Sequence, residues 1–351
     1  MTVDKGIFIQ NIYYMLSYAF QILKQEDYKQ VASEKFDKIN DLFAAILEKG
    51  VSRQIKQGLY REYVPMQENL SIMRGKLNIG ETVQLKVQNK QKLACEFDKF
   101  SVDNIYNQIL KVTIHRLIRA NDVKPENKQK LRKLIVFFDN VTLIQHDHIA
   151  WHGLIYQRNN RNYELLLNIC YLMLNGMLQT TEDGSYKLLS FSDEHIERLY
   201  ERFILEYYKQ HHPELNPAAP VIDWNHTKDP DETMIQFLPK MKTDIVLTKG
   251  EKKLIIDAKY YSKAMVQNYS KDTLRSAHLY QIFAYVKNMD TENTGNVSGL
   301  LLYAKTKDEI FPEGEPFVIG GNSIGARTLD LNQRFDHLSK QLDEIIKHHF
   351  K

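Results

Sequence analysis

The stretch TDIVLTKGEKKLIIDAKYY, Thr243–Tyr261, decides how the second half of the chain folds. Two apolar runs of strand length flank Lys249-Gly250-Glu251-Lys252, and each carries an aspartate where a buried strand normally holds another Val or Ile. Taking Gly250-Glu251 as a two-residue turn puts Gly at the first position of a type II′ turn. Paired positions then place Lys249 opposite Lys252, Leu247 opposite Leu254 and Asp244 opposite Asp257. A four-residue loop from Lys249 to Lys252 leaves this pairing unchanged. Directly opposed side chains share a face, with Cβ atoms about 5 Å apart. Lys259, two residues beyond Asp257, lies on that face as well. The opposite face collects Ile245, Leu247, Leu254, Ile256 and Ala258 and is expected to be the core face.

Two carboxylates forced together in a half-buried site repel, and one pKa rises unless a cation intervenes. A divalent cation removes that penalty. Mg2+ suits such a site because it takes one or two carboxylates, keeps several waters and leaves room for a phosphate oxygen. A metal-bound water of lowered pKa, with the Lys259 ammonium beside it to stabilise charge on the phosphorus oxygens, is equipment for phosphodiester hydrolysis. The competing reading is a surface hairpin with an ordinary Asp–Lys contact, since Asp-x-Lys alone discriminates poorly.

A chain of 351 residues exceeds what one typical core organises, so two domains are expected. With 43% hydrophobic and 26% charged residues, the composition is that of a globular protein. The net charge of +3 permits a nucleic-acid partner without arguing for one, because binding proteins concentrate Lys and Arg on one face. Cys95 and Cys170 lie far apart and form no Cys-x-x-Cys, which fits a reducing compartment. The N-terminus lacks the apolar region of a signal peptide, and no run of about eighteen apolar residues exists. A cytoplasmic location is expected.

Asn11–Leu23 reads as a buried helix and Phe36–Ile55 as an amphipathic one. From Gln57 to Val87 the pattern alternates and breaks at Gly58, Pro65, Gly75 and Gly80, as short strands and hairpins do. Helical period returns over Asp103–Ala120 and again after Pro125. The polar stretch Met177–Lys187 marks the expected domain boundary, giving an α+β region over residues 1–183 and an α/β domain over 184–351. The second begins with a helix capped by Ser192, with Phe191 and Ile196 at the staple positions. It continues through the hairpin, a helix over Thr273–Met289, a buried strand at Ser298–Lys305 and a closing helix carrying Phe335, Leu338, Leu342 and Ile345 on one face.

The opposed Asp244 and Asp257-Ala258-Lys259 resemble the signature of the PD-(D/E)xK nuclease superfamily, with Pro239 displaced to five residues before Asp244. The resemblance implies metal binding by Asp244, Asp257 and the Ala258 position, with Lys259 assisting catalysis. Many members add a helical glutamate as a ligand. Glu201 and Glu206 are the candidates, and Glu201, off the most apolar stripe, is preferred. The RecB-like branch adds Gln-x-x-x-Tyr, matched by Gln281 and Tyr285, whose spacing puts them on one helical face with His278 one turn earlier.

The chain also carries NIYYMLSYA from Asn11, RGKL at Arg74–Leu77, FDKFSVDNIYNQILK in mid-chain and LYQIFAY after the hairpin. In this order the motifs resemble the McrC family, the nuclease subunits of McrBC modification-dependent restriction systems. The resemblance implies a hexameric AAA+ GTPase partner of the McrB type, stimulation of its GTP hydrolysis by the N-terminal region, and cutting of double-stranded DNA that carries methylcytosine. The chain has no GxxxxGK[ST], so nucleotide dependence is expected through the partner alone. Two other readings stay open: a stand-alone PD-(D/E)xK repair or processing nuclease, and a non-catalytic assembly factor for an AAA+ partner.

Other constellations carry less. His146, His148 and His152 have no acidic or cysteine ligand clearly placed to complete a zinc site, and read as solvated or core histidines. The basic run Lys86–Lys92 reads as a solvated loop. Gly-flanked Arg74 is a candidate to reach into a partner's nucleotide site, against the alternative of a surface turn.

Overall fold

The computed structural model describes residues 5–21, 36, 38–174, 178–180, 186–188, 194–225, 236–260, 265–268, 271–305 and 316–350. The labelled helices, in chain order, are α1 (Lys5–Ala19), α2 (Ile39–Gln57), α3 (Ile79–Val87), α4 (Ile105–Arg119), α5 (Pro125–Ile135), α6 (Tyr163–Leu174), α7 (Glu194–His211), α8 (Ser276–Met289) and α9 (Phe335–His349). The chain forms two compact units, one of Lys38–Leu178 and one of Met1–Asp37 with Gln179–Lys351.

In the first unit, strands β1 (Glu62–Leu70), β2 (Lys76–Leu77) and β3 (Leu93–Ser101) make an antiparallel sheet in the order β1-β3-β2. Helices α2, α4 and α6 supply most of the fully buried side chains of this unit, among them Phe43, Ile46, Ile109, Ile114 and Ile169. Buried polar groups tie the elements together. Tyr163 donates to Asn107 Oδ1 at 2.8 Å, and Asn107 Nδ2 donates to the carbonyls of Tyr60 and Val102. The expected break at Gly80 is not one. Asn78 caps α3 by accepting from the Glu81 N–H, so Gly80 sits in the first helical turn and the segment is helical, not strand.

The second unit is built on a five-stranded sheet. Its strands are β4 (Ile245–Lys249), β5 (Lys252–Lys259), β6 (Val297–Lys305), β7 (Phe317–Ile319) and β8 (Asn322–Asp330), in the order β7-β8-β6-β5-β4. β5, β6 and β8 run parallel, while β4 and β7 are antiparallel edges. The β4–β5 ladder pairs Lys249 with Lys252, Leu247 with Leu254 and Ile245 with Ile256, the register expected from the sequence. Gly250 has φ +59 while Glu251 is not left-handed, the combination that defines a type II′ turn.

Both faces of the hairpin are buried, where the sequence suggested one. Ile245, Leu247, Leu254, Ile256 and Ala258 are each at most 2% exposed on one side. Val246 and Ile255 on the other side join a core cluster with Ile282, Tyr285 and Val286 of α8. Gly299 on β6 allows this approach, since a Cβ there would lie 2.7 Å from Ile282 Cγ1 and 2.9 Å from Val286 Cγ2. Helix α1 belongs with this unit and not with the residues that follow it in sequence. Tyr14 and Tyr18 stack on Phe335 of α9, and Asn11 Nδ2 donates to the carbonyls of Leu331 and Gln333. The expected Ser192 cap and its Phe191–Ile196 staple lie outside the described residues and side chains.

A carboxylate and lysine cluster at the strand ends

β5 and β6 are parallel, so their C-terminal ends share one edge of the sheet, and the antiparallel β4 begins at that edge. The open C-terminal edge of such sheets is where α/β proteins bind ligands. Asp257 and Lys259 end β5 there. Asp244 precedes β4, held in place because Thr243 donates through N–H and Oγ1 to the Pro220 carbonyl and Val246 exchanges hydrogen bonds with Ala218. Extending the ladder by one pair places Asp244 opposite Asp257.

The contacts are short and local. Asp244 Oδ2 accepts from the Ala258 N–H at 2.9 Å, and Lys259 Nζ lies 3.1 Å from Asp257 Oδ2. In a strand the N–H and C=O of one residue leave the backbone on the same edge, so the Ala258 carbonyl points to the side where Asp244 lies. Asp257 is 1% exposed and Lys259 7%. Despite the ion pair, neither Asp257 oxygen has a well-formed hydrogen bond among the described residues.

Electrostatics follow from this crowding. Burial, then the charges of Asp257 and Glu201, push the Asp244 carboxyl up to about 8, against the pull of Lys259 and the Ala258 N–H. Burial also pushes Asp257 up, with Lys259 opposing. Burial alone would favour neutral Lys259, but Asp257 and Asp244 outweigh it and raise the ammonium's pKa. Glu201 on α7 is pushed up to about 7, by burial first and then by Glu197.

Helix α8 closes over the cluster. Gln281 Nε2 donates to Tyr285 OH at 2.8 Å, and Tyr285 feels the charges of Asp257 and Asp244, so both predicted residues face the site. His278, one turn earlier, meets Tyr303 OH through Nδ1 at 3.0 Å. Burial, Lys259 and Arg275 pull His278 down to about 4, which keeps it neutral at pH 7. Tyr303 pairs with Lys259 across the parallel ladder and shares its face.

Sequence reasoning missed Tyr303 and also Glu197, whose Oε1 lies 4.0 Å from Lys259 Nζ. The signal for Glu197 was its place one helical turn before Glu201. Glu206 is not brought to the site, because it accepts from Gln21 and Lys209. Arg74 lies in the other unit, exposed, with its guanidinium 4.1 Å from the centre of the Phe97 ring. His146, His148 and His152 are exposed, and His146 pairs with Asp147.

A divalent cation fits this donor set. Two aspartates stand together, Asp257 buried with unsatisfied oxygens and Asp244 half-buried with its carboxyl pushed up. Among the described residues no three His, Cys, Asp or Glu side chains gather closely enough to hold a metal ion. Glu201 of α7 adds its charge to the cluster, raising the Asp244 carboxyl.

The class defined here is a mixed helix-and-strand protein with paired acids and a lysine at the C-terminal edge of its main sheet. Residues 8–304 match the model of the McrBC 5-methylcytosine restriction system component family, and the chain belongs to that family. It is 25% identical over 345 residues to the type IV methyl-directed restriction enzyme EcoKMcrBC of Escherichia coli (strain K12), covering 98% of each chain. Among solved structures it is similar to a half-complex of the Thermococcus gammatolerans tetradecameric assembly of McrB AAA+ hexamers with bound McrC. That likeness has a TM-score of 0.47 and 18% identity, over 97% of this chain and 75% of that one. It is also similar to the Thermococcus gammatolerans McrBC complex, with a TM-score of 0.41 and 20% identity over 58% and 59% of the two chains. No helix among the described residues is long and apolar enough to cross a membrane.

Proposed function

We propose that this chain is the Mg2+-dependent endonuclease subunit of a methylcytosine-directed restriction complex, with the Asp244–Asp257–Lys259 cluster as its active site. The observation that carries the reading is the pair of opposed aspartates, half-buried Asp244 accepting from the Ala258 N–H and buried Asp257 3.1 Å from Lys259 Nζ. This is the arrangement that the PD-(D/E)xK resemblance leads one to expect. Asp244, Asp257 and the Ala258 carbonyl would hold the cation, which supplies an acidified water and neutralises phosphate charge. Lys259 stabilises negative charge developing on the phosphorus oxygens. Glu197 holds negative charge beside Lys259 and helps keep it protonated, and Glu201 is the candidate for a third carboxylate ligand. Gln281 and Tyr285 position the site and the DNA.

Family membership supports assembly with a McrB-type AAA+ GTPase, and the Lys38–Leu178 unit offers a surface for it. Ile72 and Met73, beside Arg74, are 81% and 60% exposed, and Ile79, Val83 and Val87 of α3 are 71%, 54% and 79% exposed. The α3 residues recur every fourth position and form one stripe. An apolar stripe of this kind on a helix marks an interaction site. Arg74 at the adjoining turn is the candidate for stimulating the partner's GTP hydrolysis.

The test is cleavage of methylated duplex DNA with Mg2+, by the chain alone and with the GTPase plus GTP. Cutting only with the partner and GTP is expected. Cutting by the chain alone would turn the reading to a stand-alone nuclease.

A further inference from the structure

The small net charge of the chain hides an asymmetry between its units. Residues 38–178 hold 21 Lys and Arg against 13 Asp and Glu, while the rest of the chain holds 26 against 31. Within the basic unit the excess is concentrated over residues 111–133, which carry 8 cations and 2 anions. These residues belong to α4, α5 and the turn between them.

Helix α5 turns Asn127, Leu131 and Leu134 into the unit, exposes Lys130, Arg132 and Lys133, and holds Lys128 half-buried at the margin. None of these four cations has an ion pair or hydrogen bond among the described residues. Lys128 and Arg132 stand four residues apart and Lys130 and Lys133 three apart, so like charges are neighbours, which destabilises a helix. On α4, Lys111, His115 and Arg119 share a face, where partly buried Lys111 donates through Nζ to the Phe138 and Val141 carbonyls and Arg119 is exposed. A face that keeps several uncompensated cations against helix stability is built for a polyanion.

We infer that α5, with the basic face of α4, is a contact surface for the phosphate backbone of duplex DNA. The inference rests on the nuclease reading for its biological sense but stands on charge and geometry of another unit. A protein partner fits less well, because the cores of protein interfaces are depleted in charge and in Lys. Duplex phosphates are recognised by such cations without sequence preference.

The experiment is fluorescence anisotropy of the full chain with an unmodified duplex of about 30 base pairs, in EDTA, across a salt series. Lys128→Gln/Arg132→Gln is compared with wild type and with Lys340→Gln/Lys347→Gln on α9, where both lysines are exposed. Lys128→Glu/Arg132→Glu is the second variant, and circular dichroism checks that each folds. The α5 glutamine pair is expected to weaken binding about tenfold at ~0.1 M salt and to reduce the log–log salt slope by about 2, as for two lost phosphate contacts. The α9 pair is expected to match wild type, and the glutamate pair to weaken binding further. Unchanged affinity and slope in the folded α5 variants, equal loss in the α9 pair, or no binding by wild type would overturn the inference. Loss of GTPase assembly with DNA binding intact would also overturn it and assign the face to a protein, with exposed Val136 and Phe137 as its apolar anchors. Binding is read without cleavage, so failure of the nuclease reading leaves this result distinguishable.

Discussion

Asp244 is the residue whose chemistry most exposes what the site requires. Its folded carboxyl, pushed up to about 8, lies above the ~3.9 of an unfolded aspartate. The folded, metal-free chain therefore binds that proton more tightly than the unfolded chain, and loses stability as pH rises from about 4 to about 8. Asp244→Asn removes this dependence while an amide oxygen still accepts from the Ala258 N–H. In EDTA, the variant is expected to gain urea resistance relative to wild type between pH 5 and pH 8. A wild-type-minus-variant difference that stays constant across that range would contradict the electrostatic account. The sequence made Asp244, Asp257 and Lys259 legible because turn, alternation and register are local. Tyr303 was not legible, since only the parallel pairing of β5 with β6, across an intervening helix, sets it beside Lys259. The burial of Val246 and Ile255 was hidden for the same reason: it depends on α8 lying over them.

At the scale of elements, the descent of α8 onto the sheet depends on Gly299. Gly299→Val is expected to cost about 1–3 kcal/mol by overpacking against Ile282 and Val286. Chemical denaturation would show it, and an unchanged midpoint would mean that α8 does not pack there. Helix α3 gives the opposite case. Val83→Asp and Val87→Asp change exposed positions, so stability should stay within about 0.5 kcal/mol. Assembly with the GTPase is expected to fall in a pull-down or by calorimetry, and retained assembly would clear the stripe of that role. This helix was misread from sequence because Gly80 was weighed as a breaker while Asn78 and Glu81, a cap pair, were not. Strand β8 was missed altogether. Its NSIGARTLD mixes Gly, Ser, Thr and Arg, and several of its residues are only partly buried, so it lacks the continuous apolar run that marked β6.

The chain forms two compact units and crosses between them more than once. Helix α1 returns to the second unit because its tyrosines find Phe335, Phe203 and Tyr207 there, a pairing over more than 180 residues that no local pattern announces. The Lys38–Leu178 unit carries the exposed apolar stripe and the basic helix, and the other carries the paired acids. In the function proposed here, cutting belongs to the paired acids and partner activation to the other unit. The measurement that tests it most directly is Asp257→Ala in the assembled complex, scored for DNA cleavage and for GTP hydrolysis in the same reaction. Cleavage is expected to disappear while GTP hydrolysis remains at the wild-type level. Cleavage that persists would remove Asp257 from the active site, and loss of both activities would contradict the division of labour.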